Sequence, residues 1–502
     1  MNGGRVDYDL LVIGGGINGC GIARDAAGRG YKVALVEKDD LASGTSSKST
    51  KLVHGGLRYL ENLEIRMVRE SLAERETLWR IAPHLVQPLR FVVPVLPDAR
   101  PAWLLRLGLF LYDHLGAREK LPGASSLDLR RAPEGAPLKP QLVKAFAYSD
   151  CRVDDSRLVV LNARDAADRG AAIFTRTSFL RAHASDGVWR SALRDEATGV
   201  ERDISARFVV NAAGPWADRV LAGVAAPGER PCLRLVRGSH IVVPKLFDHD
   251  GAYLFQTGDG RVVFAIAYWD DFTLIGTTDV DFDGAPDEVG ATSEEIAYLC
   301  RAANGFFRRP IAPGDVVWSF SGLRPLQDDG QPAARASRDY RLDRKTIDGA
   351  PLISLFGGKL TAYRRVAEQI VDAAAASLGS RGRVWTASAA LPGGDFPDGD
   401  LDAFSRDLAA RYPFLAATEA RRLARGYGTL CLGFLGAARS RVDLGRDFGG
   451  ESGLGLSEAE VDYLAAREWA RTADDILWRR SKLGLRGQNG LAATLDAFLA
   501  RS

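Results

Sequence analysis

The chain has 502 residues, of which 46% are hydrophobic and 26% are charged, and its formal net charge is +2. This length predicts about two to three domains, and the near-neutral charge gives no general case for nucleic-acid binding. Five scattered cysteines without a CxxC pair argue against a disulfide framework or a zinc site. The six histidines have no metal-ligand spacing either. We therefore expect a globular protein of a reducing compartment, without a metal.

Targeting and membrane-spanning segments are not expected. Residues 1–7 are polar, and the next apolar run has only the length of a strand. The most apolar segment, 101–115, is too short to cross a bilayer and contains Arg106. It predicts a helix that lies in the core or at a membrane surface, in the second case with Trp103 and Tyr112 at the water boundary.

The segment from Tyr8 to Glu37 has the pattern of a dinucleotide-binding β-α-β unit. An apolar run meets Gly14, Gly16 and Gly19 at G-x-G-x-x-G spacing, and a helical segment and a second apolar run follow. The glycines permit a tight turn, approach of the backbone to a pyrophosphate and close packing of helix on strand. Glu37 stands where a carboxylate would accept a ribose hydroxyl. The pattern predicts an adenine dinucleotide, without choosing FAD over NAD.

The remaining elements alternate between helix-like and strand-like periodicity. Residues 233–281 form short apolar runs separated by turns, which predicts a meandering antiparallel sheet inserted into the first domain. The chain after residue 391 is helical throughout. The other predicted elements are helices at 62–80, 155–169, 293–307 and 360–376, and strands at 90–96, 207–214 and 352–356.

Two polar loops follow the second predicted strand. Ser43 to Leu52, SGTSSKSTKL, offers hydroxyls and backbone amides to a phosphate or a flavin ring. His54 to Tyr59, HGGLRY, combines two glycines that allow a tight bend with the planar fork of Arg58 and the hydroxyl of Tyr59. A solvated surface turn is the alternative for each loop taken alone.

Later motifs add charged groups in glycine-rich turns. Arg324 lies in SGLRPL, and together with Arg58 it suggests an anionic substrate. His240 opens a strand in GSHIVVP, and Asp279 ends another strand in IGTTD. In FGGKLT the segment up to Thr361 predicts a strand, a turn and a helix N-terminus, whose partial positive charge would favour an anion beside it.

At these motifs the chain resembles a known family, the FAD-dependent, quinone-linked glycerol-3-phosphate dehydrogenases of the D-amino-acid-oxidase-like flavoprotein group. The resemblance extends from about Asp9 to the C-terminal helices. It is carried in order by the segments GGGINGCGIARDAAGRG, TSSKSTKLVHGGLRYLE, RPAWLLRLGLFLYDHLG, YSDCRVDDSRLV, NAAGPW, GSHIVVP, IGTTD, SGLRPL, FGGKLTAYR and WRRSKLGL.

The resemblance implies a fold of mixed α/β and α+β class. A Rossmann-like FAD-binding domain would comprise residues 1–80, 145–225 and 310–390. A substrate or cap domain with a mixed, largely antiparallel sheet would comprise 81–144 and 226–309. The remaining residues, 391–502, would form a C-terminal all-helical domain.

FAD is the cofactor that the resemblance implies, with its adenosine near Glu37. The expected FAD-binding residues are Gly14, Gly16, Asn18, Gly19, Glu37, Lys38, Thr45, Ser46, Ser47, Lys51, Leu52, His54, Gly55, Gly56, Ala213, Gly214, Gly322, Arg324, Gly358, Lys359, Leu360 and Thr361.

The substrate implied by the resemblance is sn-glycerol 3-phosphate, which loses hydride from C2 and becomes dihydroxyacetone phosphate. His240 is the first choice as proton acceptor and His54 the second, and Arg324 or Lys359 would stabilise the alkoxide. The expected substrate-binding residues are Arg58, Tyr59, His240, Thr278, Asp279, Arg324 and Lys359.

The expected electron acceptor is a membrane quinone, so the protein would touch a lipid bilayer surface. We expect a peripheral or monotopic protein at the cytoplasmic face of the cell membrane, with 101–115, Arg106, Arg118 and Lys120 as contacts. A homodimer is left open. The alternatives are an oxygen-using glycerol-3-phosphate or amine oxidase on the same scaffold, and a non-catalytic flavin redox sensor.

Overall fold

The computed structural model describes residues 6–60, 64–96, 101–116, 118–224, 233–327, 339–449, 455–487 and 490–501, except the side chains of Arg58 and Gln327. In this part of the chain the helices are α1 Ile17–Gly28, α2 Ile65–Ile81, α3 Ala102–Leu115, α4 Asp155–Asp168, α5 Ala217–Ala222, α6 Ser293–Asn304, α7 Tyr363–Leu378, α8 Leu401–Arg411, α9 Ala417–Tyr427, α10 Cys431–Leu435, α11 Glu458–Glu468 and α12 Leu491–Leu499.

The strands are distributed over two sheets. They are β1 Tyr8–Ile13, β2 Val33–Val36, β3 Leu52–Val53, β4 Val86–Pro94, β5 Ser125–Asp128, β6 Lys144–Val153, β7 Ala172–Phe174, β8 Thr177–Ser185, β9 Val188–Asp195, β10 Glu201–Asn211, β11 Leu233–Pro244, β12 Ala252–Gln256, β13 Val262–Tyr268, β14 Phe272–Gly276, β15 Val280–Asp281, β16 Trp318–Gln327, β17 Arg341–Ile347 and β18 Ala350–Phe356.

The first sheet contains the predicted dinucleotide-binding unit. Its strand order is β17-β18-β10-β1-β2-β7, with β8 and β9 attached to β10. The central strands β18, β10, β1, β2 and β7 are parallel, and they are apolar because helices and other elements cover both of their faces. Helix α1 packs closely on α7, since a Cβ at Gly21 would lie 2.6 Å from the Tyr363 ring. The small residues of α1 therefore set this close approach.

The second sheet is the predicted inserted sheet. Its order is β15-β11-β14-β13-β12-β4-β6-β3, with β16 on β11 and β5 on β6. Strands β11 to β15 are antiparallel, as predicted, but only β12, β13 and β14 form a meander, because β11 lies between β14 and β15. The pairing of β12 with β4 is parallel. Helix α6 packs against this sheet and buries Leu299 and Ala303.

The predicted domain limits at residues 145 and 310 need correction. They would place β6 and β16 in the FAD-binding domain, whereas both strands hydrogen bond within the second sheet. Strand β3, inside the predicted 1–80 segment, also pairs with β6. The chain therefore crosses between the two sheets within these segments, which periodicity alone does not reveal.

Residues after 391 form helices α8 to α12 around a core of their own. This helical unit covers α4, the predicted helix at 155–169, which is buried nearly all round. Bidentate ion pairs join the units, between Arg157 and Glu468 and between Arg480 and Asp40. The basic cluster at 479–482 thus lies at the contact between the helical unit and the rest of the protein.

Candidate active site

A cavity of about 1400 Å³ lies between the two sheets. It runs from the glycine turn after β1, past the loop 43–50, to the strands β11, β12, β13 and β16 and the apolar helix α3. The predicted site residues that line it are Gly14, Gly16, Asn18, Glu37, Lys38, Thr45, Ser46, Leu52, His54, Gly56, Tyr59, Ala213, Gly214, His240, Asp279, Gly322, Arg324, Gly358, Lys359, Leu360 and Thr361.

Five predicted residues lie behind this lining: Gly19, Ser47, Lys51, Gly55 and Thr278. The side chain of Lys51 binds the Asp155 carboxylate and the Ser47 carbonyl, 2.7 and 2.6 Å away, because burial demands partners for the ammonium. The Lys51 ammonium thus supports the loop from behind the cavity wall, and its contact with the cofactor stays a prediction. The Arg58 side chain lies outside the described residues.

The glycine turn has the geometry that a bound pyrophosphate needs. Gly14 has φ +113°, and a Cβ there would lie 2.6 Å from the Ala212 carbonyl oxygen. A Cβ at Gly19 would lie 1.9 Å from the Gly14 oxygen, so the third glycine allows α1 to pack on the turn. Gly16 is the N-cap of helix α1 and provides no side-chain cap. The Ile17 amide donates to Ser46 Oγ, and the amides of the residues that follow Ile17 in the first turn suit an anion.

Glu37 directly follows β2 and lines the cavity beside the glycine turn. Its carboxylate accepts hydrogen bonds from the amides of Gly15 at 2.7 Å and Asp39 at 2.9 Å. Burial raises the pKa of Glu37 to about 7, although these two hydrogen bonds act in the opposite direction. The side chain lines the cavity, and its remaining lone pairs suit the hydroxyls of a ribose.

The loop after β2 joins the two sheets at the middle of the cavity. Ser46 Oγ accepts from the Ile17 amide at 2.9 Å, and Thr45 Oγ1 donates to the Leu323 carbonyl at 2.7 Å. Near the same turn, the buried Asn18 Oδ1 has no hydrogen-bond partner among the described residues. Such an orphaned acceptor in the cavity wall suits a bound cofactor, and the donors present fit FAD.

His240 lies on β11 at the inner end of the cavity. Its ring stacks on Phe320 of the neighbouring strand, with centroids 4.9 Å apart, and Thr50 Oγ1 lies 2.9 Å from Nε2. Gly276 on β14 provides the space, since a Cβ there would lie 2.1 Å from the imidazole. Burial, and then the nearby Arg324, hold the pKa of His240 well below its usual value, so the ring is neutral at neutral pH.

Arg324 supplies a cation to the same cavity. Its guanidinium donates to Asp279 at 2.7 Å and to Thr277 Oγ1 at 3.0 Å. Gly238 on the adjacent strand makes room for it, because a Cβ there would lie 2.4 Å from a terminal nitrogen. The fork is thus fixed in direction, which suits it to bidentate binding of a phosphate or carboxylate.

The turn after β18 carries a second cation. Gly357 and Gly358 have φ +75° and +97°, and all residues from Gly357 to Thr361 line the cavity. Lys359 Nζ lies 3.6 Å from the centre of the Tyr59 ring, so two separate sequence motifs meet here. Thr361 Oγ1 contacts the His54 backbone on the same side.

Thr278, predicted as a substrate-binding residue, is buried behind the cavity wall, and its neighbour Thr277 lines the cavity instead. Thr278 Oγ1 donates to the buried Glu295 carboxylate at 2.7 Å, whereas Thr277 lines the cavity and contacts Arg324. Ser239 also donates to Glu295, at 2.8 Å, so one carboxylate on α6 holds the strands next to His240. Two adjacent threonines after a strand gave no signal for which of them faces inward.

These groups surround one cavity: a glycine turn that can bind a pyrophosphate, the neutral imidazole of His240, and the cations of Arg324 and Lys359. Together they define the site of a dinucleotide-dependent oxidoreductase. Residues 9–364 match the model of the family "FAD dependent oxidoreductase", and the chain belongs to that family. Residues 384–498 match "C-terminal domain of alpha-glycerophosphate oxidase". The cofactor is therefore FAD, the choice that the glycine motif had left open.

Similar proteins narrow the class. The chain is 51% identical to D-erythritol 1-phosphate dehydrogenase of Brucella abortus, over 94% of each chain. It is 50% identical to glycerol-3-phosphate dehydrogenase of Pseudomonas aeruginosa, over 95% of this chain and 92% of the relative. The structure of glycerol-3-phosphate dehydrogenase from Bacillus halodurans complexed with FAD matches with TM-score 0.75 and 29% identity, over 99% and 94%. The predicted resemblance to the FAD-dependent glycerol-3-phosphate dehydrogenases is confirmed.

Proposed function

We propose that this protein oxidises sn-glycerol 3-phosphate at C2 to dihydroxyacetone phosphate. The observation that carries the proposal is the guanidinium of Arg324, which Asp279 and Thr277 hold at the wall of the FAD cavity that also contains His240. Arg324 binds the phosphate, and Lys359 and Tyr59 bound the same space. FAD, when bound, supplies the acceptor for the hydride that leaves C2.

His240 accepts the proton of the C2 hydroxyl in this proposal. The neutral ring has a lone pair to offer, and Thr50 and Phe320 fix its orientation. A bound phosphate dianion would reduce the effect of the positive charge of Arg324, one of the causes that lower the pKa of His240. His54 remains the second candidate, since it lines the same cavity.

D-erythritol 1-phosphate is a second candidate substrate. The Brucella abortus relative named for it is as similar to this chain as the relative named for glycerol 3-phosphate. Both compounds present a phosphate monoester to Arg324 and a secondary hydroxyl for oxidation, and they differ by one hydroxylated carbon. The experiment must therefore distinguish the three-carbon substrate, glycerol 3-phosphate, from the four-carbon substrate, D-erythritol 1-phosphate.

The deciding experiment is an anaerobic titration of the FAD-containing protein, followed by the absorbance of oxidised flavin. Bleaching by glycerol 3-phosphate, and not by glycerol or glycine, supports the proposal. Preferential bleaching by D-erythritol 1-phosphate selects the second substrate. Bleaching by amines alone would indicate an amine oxidase, and flavin that no substrate reduces would indicate a sensor.

We further propose that electrons leave to a membrane quinone and that the protein binds the cytoplasmic face of the cell membrane peripherally. Support comes from α3, where the side chains of Trp103 and Phe110 are 67% and 56% exposed to solvent. Exposed apolar residues clustered in this way are typical of a surface that binds a membrane or another protein. Leu104, Leu107 and Leu111 on this helix are exposed and also line the cavity. An apolar electron acceptor could therefore reach the cavity from a bilayer surface.

Other parts of α3 differ from expectation. Tyr112 is not at the water boundary but buried, where its hydroxyl accepts from the Gly55 amide at 2.8 Å and donates to Asp150. In the described residues no helix has the length and apolarity to cross a membrane.

The electron acceptor is tested by comparing the rate of quinone reduction with the rate of oxygen uptake during turnover. Rapid oxygen uptake would indicate an oxidase.

A further inference from the structure

The C-terminal helical domain reaches the active-site histidine through a row of aromatic rings. Trp478 stacks on Trp318 of β16, with centroids 4.5 Å apart. Trp318 contacts Phe320 at 4.8 Å, and Phe320 stacks on His240 at 4.9 Å with an interplanar angle of 14°. Since aromatic contacts of this kind restrict ring orientation, Trp478 supports the plane in which the imidazole lies.

A second series of contacts reaches His240 from the same segment. Lys482 Nζ lies 3.7 Å from the Asp155 carboxylate. The other oxygen of Asp155 accepts from Ser49 Oγ and Lys51 Nζ, each at 2.7 Å. Between these two loop residues stands Thr50, whose hydroxyl meets His240 Nε2. Lys482 therefore contacts the anchor of the loop that carries Thr50.

The backbone conformation and the ion pairs around Asp155 also indicate that this region is held in a fixed geometry. Lys51 and Lys482 both have positive φ, 63° and 59°, a conformation that is uncommon for lysine and persists where surrounding contacts enforce it. A short π-helical turn, Asp475–Arg480, precedes Lys482. Burial would raise the pKa of Asp155, but Lys51 and Lys482 hold that pKa below its usual value, so the carboxylate stays charged.

We infer that Trp478 and Lys482 of the C-terminal domain are positioning residues, which hold the His240 imidazole and the Thr50 loop in register with the bound substrate. The inference rests on the proposed function, because it concerns proton transfer to His240. Neither residue lines the cavity, so each acts through the residues between. The C-terminal domain then has a role in the chemistry of a site that lies between the other two domains.

The test is anaerobic stopped-flow reduction of the FAD-containing enzyme over a series of glycerol 3-phosphate concentrations. Lys482→Met and Trp478→Ala should each lower the limiting rate of flavin reduction about tenfold or more, as expected for a displaced base. The apparent Kd for substrate should stay within about twofold, since Arg324 is not disturbed. Trp478→Phe keeps a ring on Trp318 and should restore most of the rate.

Arg486→Met is the matched control. Arg486 belongs to the same C-terminal unit, and its polar partners are the Trp269 carbonyl at 2.6 Å and the Asp271 carboxylate at 2.5 Å, which belong neither to the Thr50 loop nor to the aromatic row. Flavin content and the oxidised-flavin spectrum should be the same in all variants. Trp478→Ala removes no buried charge, so it tests the inference even where Lys482→Met does not fold.

Thr50→Val tests whether Lys482 acts on His240 through Thr50. If it does, the flavin of the double variant Lys482→Met/Thr50→Val should be reduced about as slowly as that of Thr50→Val alone, and the two effects should not add. Additive effects, or variant rates equal to that of Arg486→Met, would overturn the inference while the proposed function stands. If glycerol 3-phosphate does not reduce the flavin of the parent enzyme, that result contradicts the proposed function, and the inference, which rests on it, is contradicted as well.

Discussion

The hydroxyl of Thr50 lies 2.9 Å from Nε2 of His240, although 190 positions separate the two residues in the sequence. The contact joins the loop beside the flavin dinucleotide site to the inserted sheet. It leaves the imidazole with one defined partner on its Nε2 side, and the ring stacks on Phe320 below. A group fixed in this way has the preorganisation that proton transfer requires.

Replacing His240 by alanine should lower the limiting rate of flavin reduction by glycerol 3-phosphate about 10²- to 10⁴-fold, the usual range for loss of a general base. Substrate affinity should change little, because Arg324 keeps its own partners. The measurement is single-turnover reduction across a substrate series. A larger loss in His54→Ala than in His240→Ala would transfer the role of base to His54.

Gly238→Ala should weaken substrate binding selectively. The added Cβ would lie 2.4 Å from a terminal nitrogen of Arg324 and would displace the guanidinium. We expect KM to rise about tenfold or more, corresponding to loss of one charge-assisted interaction, with a smaller change in kcat. Gly258→Ala is the control, since Gly258 lines the same cavity and its Cβ would meet no atom within 4 Å. Equal KM values for both variants would contradict this role of Arg324.

Acidification should destabilise the protein through His84. Burial, and then Arg157, lower the pKa of His84 to about 3 from an ordinary value near 6.5. A depressed folded-state pKa contributes stability that is present above pH 6.5 and is lost as the pH falls toward 3, by about 1.4 kcal/mol per pH unit. Urea unfolding between pH 7.5 and pH 4.5 measures this slope.

His84→Phe should flatten that pH profile by the equivalent of one proton, since phenylalanine does not titrate and can occupy the buried site beside Phe396. Above pH 7 the parent and the variant should show parallel profiles. An unchanged slope in the acid range would mean that the loss of stability on acidification has another source.

Replacing Leu104, Leu107 and Leu111 by glutamine should weaken binding to phospholipid vesicles and slow quinone reduction. Each substitution removes exposed apolar surface from α3, and the combined loss should lower the partition coefficient about tenfold or more. Flotation of the protein with vesicles measures it. Reduction of flavin by substrate should persist, because the residues proposed for that step lie on other elements.

Replacing the scattered exposed residues Val200, Val384 and Val442 by glutamine is the matched control, because these side chains are exposed at 62%, 52% and 86%. The control should bind vesicles like the parent. If the leucine variant folds and still floats fully with the vesicles, α3 is not the membrane contact.

The sequence by itself determined the elements whose signals are local. Gly14 and Gly19 allow a backbone course that a Cβ would block, so their spacing was sufficient to predict the first β-α-β unit. The alternation of 233–281 likewise predicted the antiparallel strands of the second sheet. These patterns are readable because they depend on neighbours within one turn or one strand.

Only the tertiary structure decided what depends on distant contacts. It showed that Thr277 and not Thr278 faces the cavity, because Thr278 is engaged by Glu295 from another helix. It placed Lys51 on Asp155, Tyr112 in the core and the 479–482 cluster in a domain joint. Burial of polar and charged groups requires partners, and these partners lie up to several hundred residues away. No local sequence pattern identifies these distant partners, because they come into contact only when the domains pack together.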